Sequence, residues 1–278
     1  MTSKHDPKSW IGRTAQMQDN LRPQPAQFMQ ATLDRSPSFT HADPLPPLWH
    51  WLYFLEATRH SELGRDAQPK KGGFLPPIAL PRRMWAGGNF TFHVPLILGK
   101  DVAKHSAIKS VVEKDGRSGK LCFVQVEHKL YQDDRLALTE EHDIVYRADP
   151  DPAAPSPVRT PAPLDPEFSR VVTPSEALLF RYSALTFNGH RIHYDADYAR
   201  DVEGYDGLVF HGPLTATLLV DLACAETGQT PRQFAFRALA PISGPTAFHI
   251  KGRRTGNTVD LWAKRHDGVL AMTAKAHF

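Results

Sequence analysis

The run Leu185-Thr186-Phe187-Asn188-Gly189-His190-Arg191-Ile192-His193-Tyr194-Asp195, followed by Gly207-Leu208-Val209-Phe210-His211-Gly212-Pro213-Leu214, governs how the rest of this chain is read. The first run is polar and lies between two apolar segments. Its histidines are three residues apart, a spacing that puts both rings on one side of a helical turn. The second run opens a long apolar stretch. Leu214, Leu218 and Leu222 recur every four residues, Pro213 suits a first helical turn, and Gly228 ends the pattern. A helix is therefore predicted over 213–225. Amides at the start of a helix lack internal partners and carry partial positive charge. His211 and Gly212 thus stand at a natural place to hold an oxygen that gains negative charge.

Beyond this helix the chain alternates. Val259, Leu261 and Ala263 share one face, as do Met272, Ala274, Ala276 and Phe278, with Gly244, Gly256 and Gly268 between the stretches. That is an antiparallel meander. Upstream, 173–185 reads as a helix capped by Thr173, with Pro174 first and Glu176 three residues after the cap. Helix against meander makes a two-layer α+β unit. The first half shows a blurred version of the same order. A short helix is expected at 23–33 and an apolar one over 48–58, which contains Trp49, Trp51, Leu52 and Phe54. Strands follow at 90–94, 106–113, 121–130 and 136–146, with Asp115-Gly116 and Asp133-Asp134 as hairpin turns. The densest prolines are Pro150, Pro152, Pro155, Pro157, Pro161, Pro163 and Pro166, a density no helix or central strand tolerates. The expected division is a unit at 1–150, a linker at 151–167 and a second unit at 168–278. The two units read as a diverged duplication or as two unrelated α+β domains.

Lys plus Arg number 33 against 30 for Asp plus Glu, a net charge of +3, which argues against a nucleic-acid partner. The short basic clusters at Lys70-Lys71, Arg82-Arg83 and 251–254 read as solvated surface or as contacts to a small anionic substrate. The two cysteines, Cys122 and Cys224, sit far apart in apolar surroundings and read as reduced thiols. No signal-peptide pattern or membrane-length apolar run is present, so a soluble cytoplasmic protein with no membrane partner is expected. No metal is expected, since the histidine spacing is not HExxH and no cysteine lies near. Neither GxGxxG nor GxxxxGK[ST] occurs, and no bound cofactor is expected.

With those residues in view, the chain resembles the MaoC-like (R)-specific enoyl-CoA hydratases and dehydratases. The closest form is the 3-hydroxyacyl-thioester dehydratase subgroup, with its asparagine-glycine-histidine pattern. Mesaconyl-C4-CoA hydratases look similar in length, in having two units, and in the Met84-Trp85-Ala86-Gly87-Gly88 segment. The resemblance implies a double hot-dog fold, each unit a sheet wrapped around a central apolar helix. It implies reversible hydration of an acyl-CoA thioester such as mesaconyl-C4-CoA or a similar short dicarboxylic enoyl-CoA. The family's histidine falls on His193, its aspartate on Asn188, its asparagine-proline pair on His190 and Arg191, and its turn histidine and glycine on His211 and Gly212. An amide cannot serve as a carboxylate base, so the shared aspartate-histidine mechanism does not transfer unchanged.

The expected roles follow from that match. His193 activates water in hydration and acts as acid in dehydration. Asn188 orients the water or the carbonyl, and His190 stands in for the lost carboxylate's proton function. The Gly212 amide forms the oxyanion contact, and His211 either assists it or fixes the loop. Tyr194 covers the pocket or belongs to the core; Asp195 orients a histidine or caps a turn. In the first half, Arg82 and Arg83 beside Trp85 are expected to read a substrate carboxylate through paired hydrogen bonds, or to be solvated. Two rival functions remain at this level: an acyl-CoA thioesterase and a non-catalytic acyl-thioester binding subunit. A duplicated unit is compatible with a monomer or a homodimer.

Overall fold

The protein was analysed as a computed structural model, which describes residues 6–116, 119–150 and 159–278. Its first-half elements are β1 (Thr14–Asn20), α1 (Pro23–Thr32), β2 (Arg82–Phe92), β3 (Asp101–Gly116), β4 (Gly119–Gln132) and β5 (Arg135–Arg147). The second half adds β6 (Phe168–Val172), α2 (Glu176–Leu185), α3 (Gly212–Thr227), β7 (Gln233–Ala238), β8 (Phe248–Thr255), β9 (Thr258–Lys264) and β10 (Leu270–His277). All pair antiparallel in one sheet, in the order β1-β3-β4-β5-β2-β7-β10-β9-β8-β6. The period-two pattern of β4 and β5 is the reason: Val124, Val126 and Leu130 point inward, as do Leu138, Glu140 and Tyr146. Turn residues Asp133 and Asp134 take φ values of 50° and 58°, which tightens the β4–β5 hairpin.

The two halves of the sheet meet where β2 pairs with β7, from Gly87 opposite Arg237 to Thr91 opposite Gln233. Backbones approach closely here. A Cβ on Gly87 would lie 2.6 Å from the Phe236 carbonyl oxygen, and one on Gly88 would lie 2.7 Å from that of Glu141. These glycines are close-packing residues inside a strand, next to a register shift between Trp85 and Gly87. Arg82 and Arg83 accordingly begin β2 and do not lie in a loop.

Helix α3 fills the second half's sheet. Leu214, Ala216, Leu219, Val220, Leu222 and Ala223 are buried, and the helix packs on β7, β8, β9 and β10. Gly228 closes it in a left-handed conformation, φ 69°. In the first half, among the described residues, the one α-helix is α1, which packs on α2 and on the Trp49–Leu52 turn. The helix expected over 48–58 is reduced to one 3₁₀ turn, Trp49–Leu52, bounded by Leu48 (φ 68°) and Phe54 (φ 58°) in the left-handed region. The apolar side chains Trp49, Leu52, Tyr53 and Phe54 are still buried, because apolarity dictates burial and not helicity. Helix α2 also starts later than expected. Ser175, not Thr173, is its cap, accepting from the Leu178 amide at 3.1 Å. Residues 151–158 of the expected linker lie outside the described residues. Among the described residues no helix is long and apolar enough to cross a membrane.

Candidate active site

The polar run after α2 is shaped by its own side chains. Phe187 takes a left-handed φ of 48°, and the Asn188 amide donates to the Ser183 carbonyl at 2.8 Å. The Asn188 Oδ1 accepts from the His190 backbone N–H at 3.0 Å, an Asx turn. Asn188 therefore builds the bend that presents His190 while also lining the cavity described below. A 3₁₀ turn, Arg191–His193, follows. The Asp195 carboxylate accepts from the Tyr198 amide at 2.9 Å and pairs with Arg191 at 2.7 Å. It is a turn cap. The expectation that it orients a histidine is corrected, because its oxygens are committed to the Tyr198 amide and to Arg191.

His193 is buried, and its Nδ1–H donates to the Val209 carbonyl at 2.7 Å. That bond fixes the tautomer and leaves Nε2 with its lone pair and no protein partner among the described residues. The ring stacks on His211 with centroids 3.6 Å apart and planes at 18°, and His190 meets it edge-on at 5.5 Å. His211 is the residue directly before Gly212, at the cap of α3. Its Nε2 lies 2.8 Å from the Ser183 hydroxyl, while its Nδ1 is buried without a partner. The tautomer with Nε2–H donating to Ser183 is favoured, since the alternative would bury an N–H with no acceptor. His211 thus stands between the Ser183 hydroxyl and the His193 ring, beside the mouth of α3. Gly212 lines the cavity described below, and a Cβ built on it meets nothing within 4 Å.

These imidazoles are held neutral. Burial pushes His193 down to about 3, against a smaller upward pull from the Val209 carbonyl. Burial, aided by Arg83 and Arg82, pushes His190 down to about 4. His211 is driven well below its ordinary value by burial and by the neighbouring His193 and His190. A neutral ring with a free Nε2 is in its acceptor state at any pH near neutrality, and its low value makes it a weak base whose conjugate acid gives the proton back readily.

His193, His190, Asn188, Gly212 and Tyr194 line one cavity of about 2110 Å³, with Tyr194 half exposed at its rim. That exceeds the usual small-molecule pocket and suits a long ligand. Arg83 lines it as well, its Nε donating to Gln68 at 2.8 Å. Arg82 does not. Its guanidinium is buried in an ion pair with Glu203 at 2.5 Å and donates to the Tyr205 hydroxyl at 2.7 Å. The expected carboxylate-reading role of Arg82 is corrected on that ground. The far wall carries His50, Trp51, Lys104, His128, Glu140 and His142, none of which the sequence reading named as a site residue. The available signal was Glu140 and His142, two titratable residues on the strand face that also carries Leu136, Leu138, Ile144 and Tyr146.

Against known proteins, residues 48–244 match the family of hydroxyacyl-thioester dehydratase type 2. The mesaconyl-C(4)-CoA hydratase of Chloroflexus aurantiacus is 46% identical over 276 residues, 98% of each chain. The mitochondrial hydroxyacyl-thioester dehydratase type 2 of Schizosaccharomyces pombe is 29% identical over 250 residues, 80% of this chain and 81% of that one. Among solved structures, a MaoC-like dehydratase from Phytophthora capsici superposes with a TM-score of 0.71 at 12% identity, covering 96% of both chains. A Mycobacterium tuberculosis protein described as having a double hotdog fold gives 0.55 at 13% identity, again over 96% of both. The fold is the double hot-dog, with the first unit's central helix replaced by the irregular segment around Trp49. The chain belongs to the hydroxyacyl-thioester dehydratase type 2 family. It is a hydro-lyase, which adds water to an acyl thioester or removes it.

Proposed function

We propose that this enzyme hydrates a short enoyl-CoA that carries a distal carboxylate, with mesaconyl-C4-CoA as the substrate to test first. The observation that carries the chemistry is the His193 ring, pinned through Nδ1 to Val209 and stacked on the residue before Gly212. In hydration, Nε2 takes a proton from water as the oxygen bonds to the β carbon. The electron pair of the double bond moves onto the thioester oxygen, where the Gly212 amide receives the charge. The imidazolium then returns its proton to the α carbon, and the thioester carbonyl re-forms. Dehydration runs the same steps backward. Asn188 has its Oδ1 in the turn, which leaves its amide nitrogen as the end that meets water or carbonyl. His190 lines the same space as a second neutral ring.

The substrate choice rests on the near full-length likeness to the Chloroflexus enzyme and on Arg83, a cavity-lining cation close enough to His190 to depress it. The free thiols Cys122 and Cys224 suit a reducing, cytoplasmic setting, and the 1–150 and 168–278 units remain the proposed division. The test is a panel of crotonyl-, itaconyl- and mesaconyl-C4-CoA, followed by conjugated-enoyl absorbance with free thiol measured in parallel. Loss of absorbance without thiol release, with the highest kcat/KM for mesaconyl-C4-CoA, is expected. Thiol release with the enoyl band unchanged would instead define a thioesterase. Binding without any absorbance change would define a non-catalytic subunit.

A further inference from the structure

The segment 63–69 touches both the active-site turn and Arg83. Its ends meet as an antiparallel bridge, Leu63 with Pro69. Inside it the Ala67 amide donates to the Gly64 carbonyl at 3.0 Å, and the Gly64 amide donates to the Gln68 carbonyl at 2.7 Å. The Asp66 Oδ1 accepts from the Gln68 amide at 3.1 Å, an Asx turn. Ala67 takes a left-handed φ of 60°, and Pro69 disfavours the helical region for Gln68 before it. On one side this turn grips the active site. The Asp66 carbonyl accepts from the Arg191 amide at 3.0 Å, and the Arg65 carbonyl accepts from the Arg191 guanidinium at 3.2 Å. Backbones approach closely there, since a Cβ on Gly189 would lie 3.0 Å from the Ala67 carbonyl oxygen.

On the other side the turn holds Arg83. The Arg83 Nε donates to Gln68 Oε1 at 2.8 Å, and Nη2 donates to the same oxygen. Two converging N–H donors require the oxygen end of the amide at that point. Tyr146, opposite Arg83 on β5, is the other polar side chain it faces. Gln68 and Arg83 both line the cavity that holds His190 and His193, and Arg83 is close enough to act on His190 through space. One edge of a guanidinium carries two parallel donors, spaced for two acceptor oxygens. Gln68 supplies one neutral oxygen to both. A carboxylate supplies two charged ones, and hydrogen bonds to an ionised acceptor are roughly twice as strong as neutral ones. Gln68 is half-buried, so its amide can turn toward water when released.

We propose that Gln68 Oε1 holds the place of the substrate's distal carboxylate: a carboxylated acyl-CoA displaces it from the Arg83 fork, and Gln68 thereby sets the discrimination between carboxylated and methyl-terminated acyl groups. Gln68 is then a specificity-determining residue and not a catalytic one. The turn that carries it also holds Arg191, so the carboxylate is read beside the active-site turn, as a short acyl chain requires. This inference rests on the carboxylated-substrate reading above and adds the residue that tunes it.

The test is calorimetric binding of succinyl-CoA and butyryl-CoA, unreactive acyl groups of equal length that differ in the distal carboxylate. Wild type should bind succinyl-CoA at least about fivefold more tightly. Gln68→Glu tethers a carboxylate to Arg83, so the ratio should fall to about one or below, while the Kd for butyryl-CoA moves by less than about twofold. Gln68→Ala vacates the fork and should keep a ratio at least as large as that of wild type. Arg83→Met should bring the ratio to about one. A ratio unmoved by Gln68→Glu overturns the proposal, as does an equal weakening of both ligands, which would make Gln68 a purely structural residue. A ratio lost in Gln68→Ala overturns it too, because the amide would then be needed and not displaced. A wild type that binds both ligands alike overturns the carboxylated-substrate reading together with this one, whereas a wild-type preference that survives Gln68→Glu overturns the Gln68 role alone.

Discussion

At Asn188 a neutral amide stands five residues before His193, where the family pattern has a carboxylate. The structure gives the amide a backbone task, accepting from the His190 N–H, that a carboxylate oxygen can also perform. Asn188→Asp should therefore fold normally. Its added charge would favour the protonated forms of His190 and His193 and so raise both from about 4 and about 3. The pH–rate profile should shift its acid limb upward with activity preserved or increased; abolished activity in a folded variant would mean the amide nitrogen has a task of its own. Arg82 makes the opposite case, a residue that looked like substrate chemistry and is architecture. Arg82→Met strands a buried Glu203 carboxylate, so it should cost about 3–5 kcal/mol in denaturant unfolding while leaving the preference among acyl-CoAs unchanged. A selective loss of carboxylated substrates would restore the role the structure takes from it.

Among the elements, α3 was legible because three signals agreed: leucines every four residues, Pro213 in the first turn and Gly228 at the end. The segment over 48–58 was not, because its aromatic residues report burial while two left-handed residues decide its path. β2 was seen only from residue 90 onward. Its beginning, with paired arginines and paired glycines, has the composition of a loop, and only the β7 backbone pressed against it explains those glycines. Gly87→Ala is expected to force Phe236 to shift and to lower stability by about 1–3 kcal/mol, measurable by urea unfolding. A variant as stable as wild type would show that this junction can relax. The active-site turn was readable as a motif, but the roles of its neighbours depended on which oxygen each side chain reached. Asp195 next to two histidines gives no hint in sequence that Arg191 and the Tyr198 amide claim it.

For the whole molecule, a cavity spanning both halves is lined by three imidazoles, His128, His190 and His193, that burial pushes well below their ordinary value. His128, His190 and His193 sit at about 3, 4 and 3 when folded, against 6.5 for an ordinary histidine. Below pH 6.5 the unfolded chain binds protons that the folded one refuses, so stability must fall as pH drops from about 6.5 toward 4. One unit below the unfolded value each contributes about 1.4 kcal/mol, or about 4 kcal/mol for the three together, between pH 7.5 and 5.5. Urea unfolding at those two pH values measures it, and equal stability at both would show that the rings are not buried neutral. The same burial that makes the fold acid-sensitive leaves His193 neutral, with one free nitrogen, near neutral pH. The direct check is single-turnover hydration of mesaconyl-C4-CoA by wild type and His193→Ala, followed at the enoyl-thioester band. The substitution should slow the chemical step by ~10²–10⁴ while substrate affinity changes little. A slowing of less than about fivefold, in a protein that still folds and binds, would contradict proton transfer by His193.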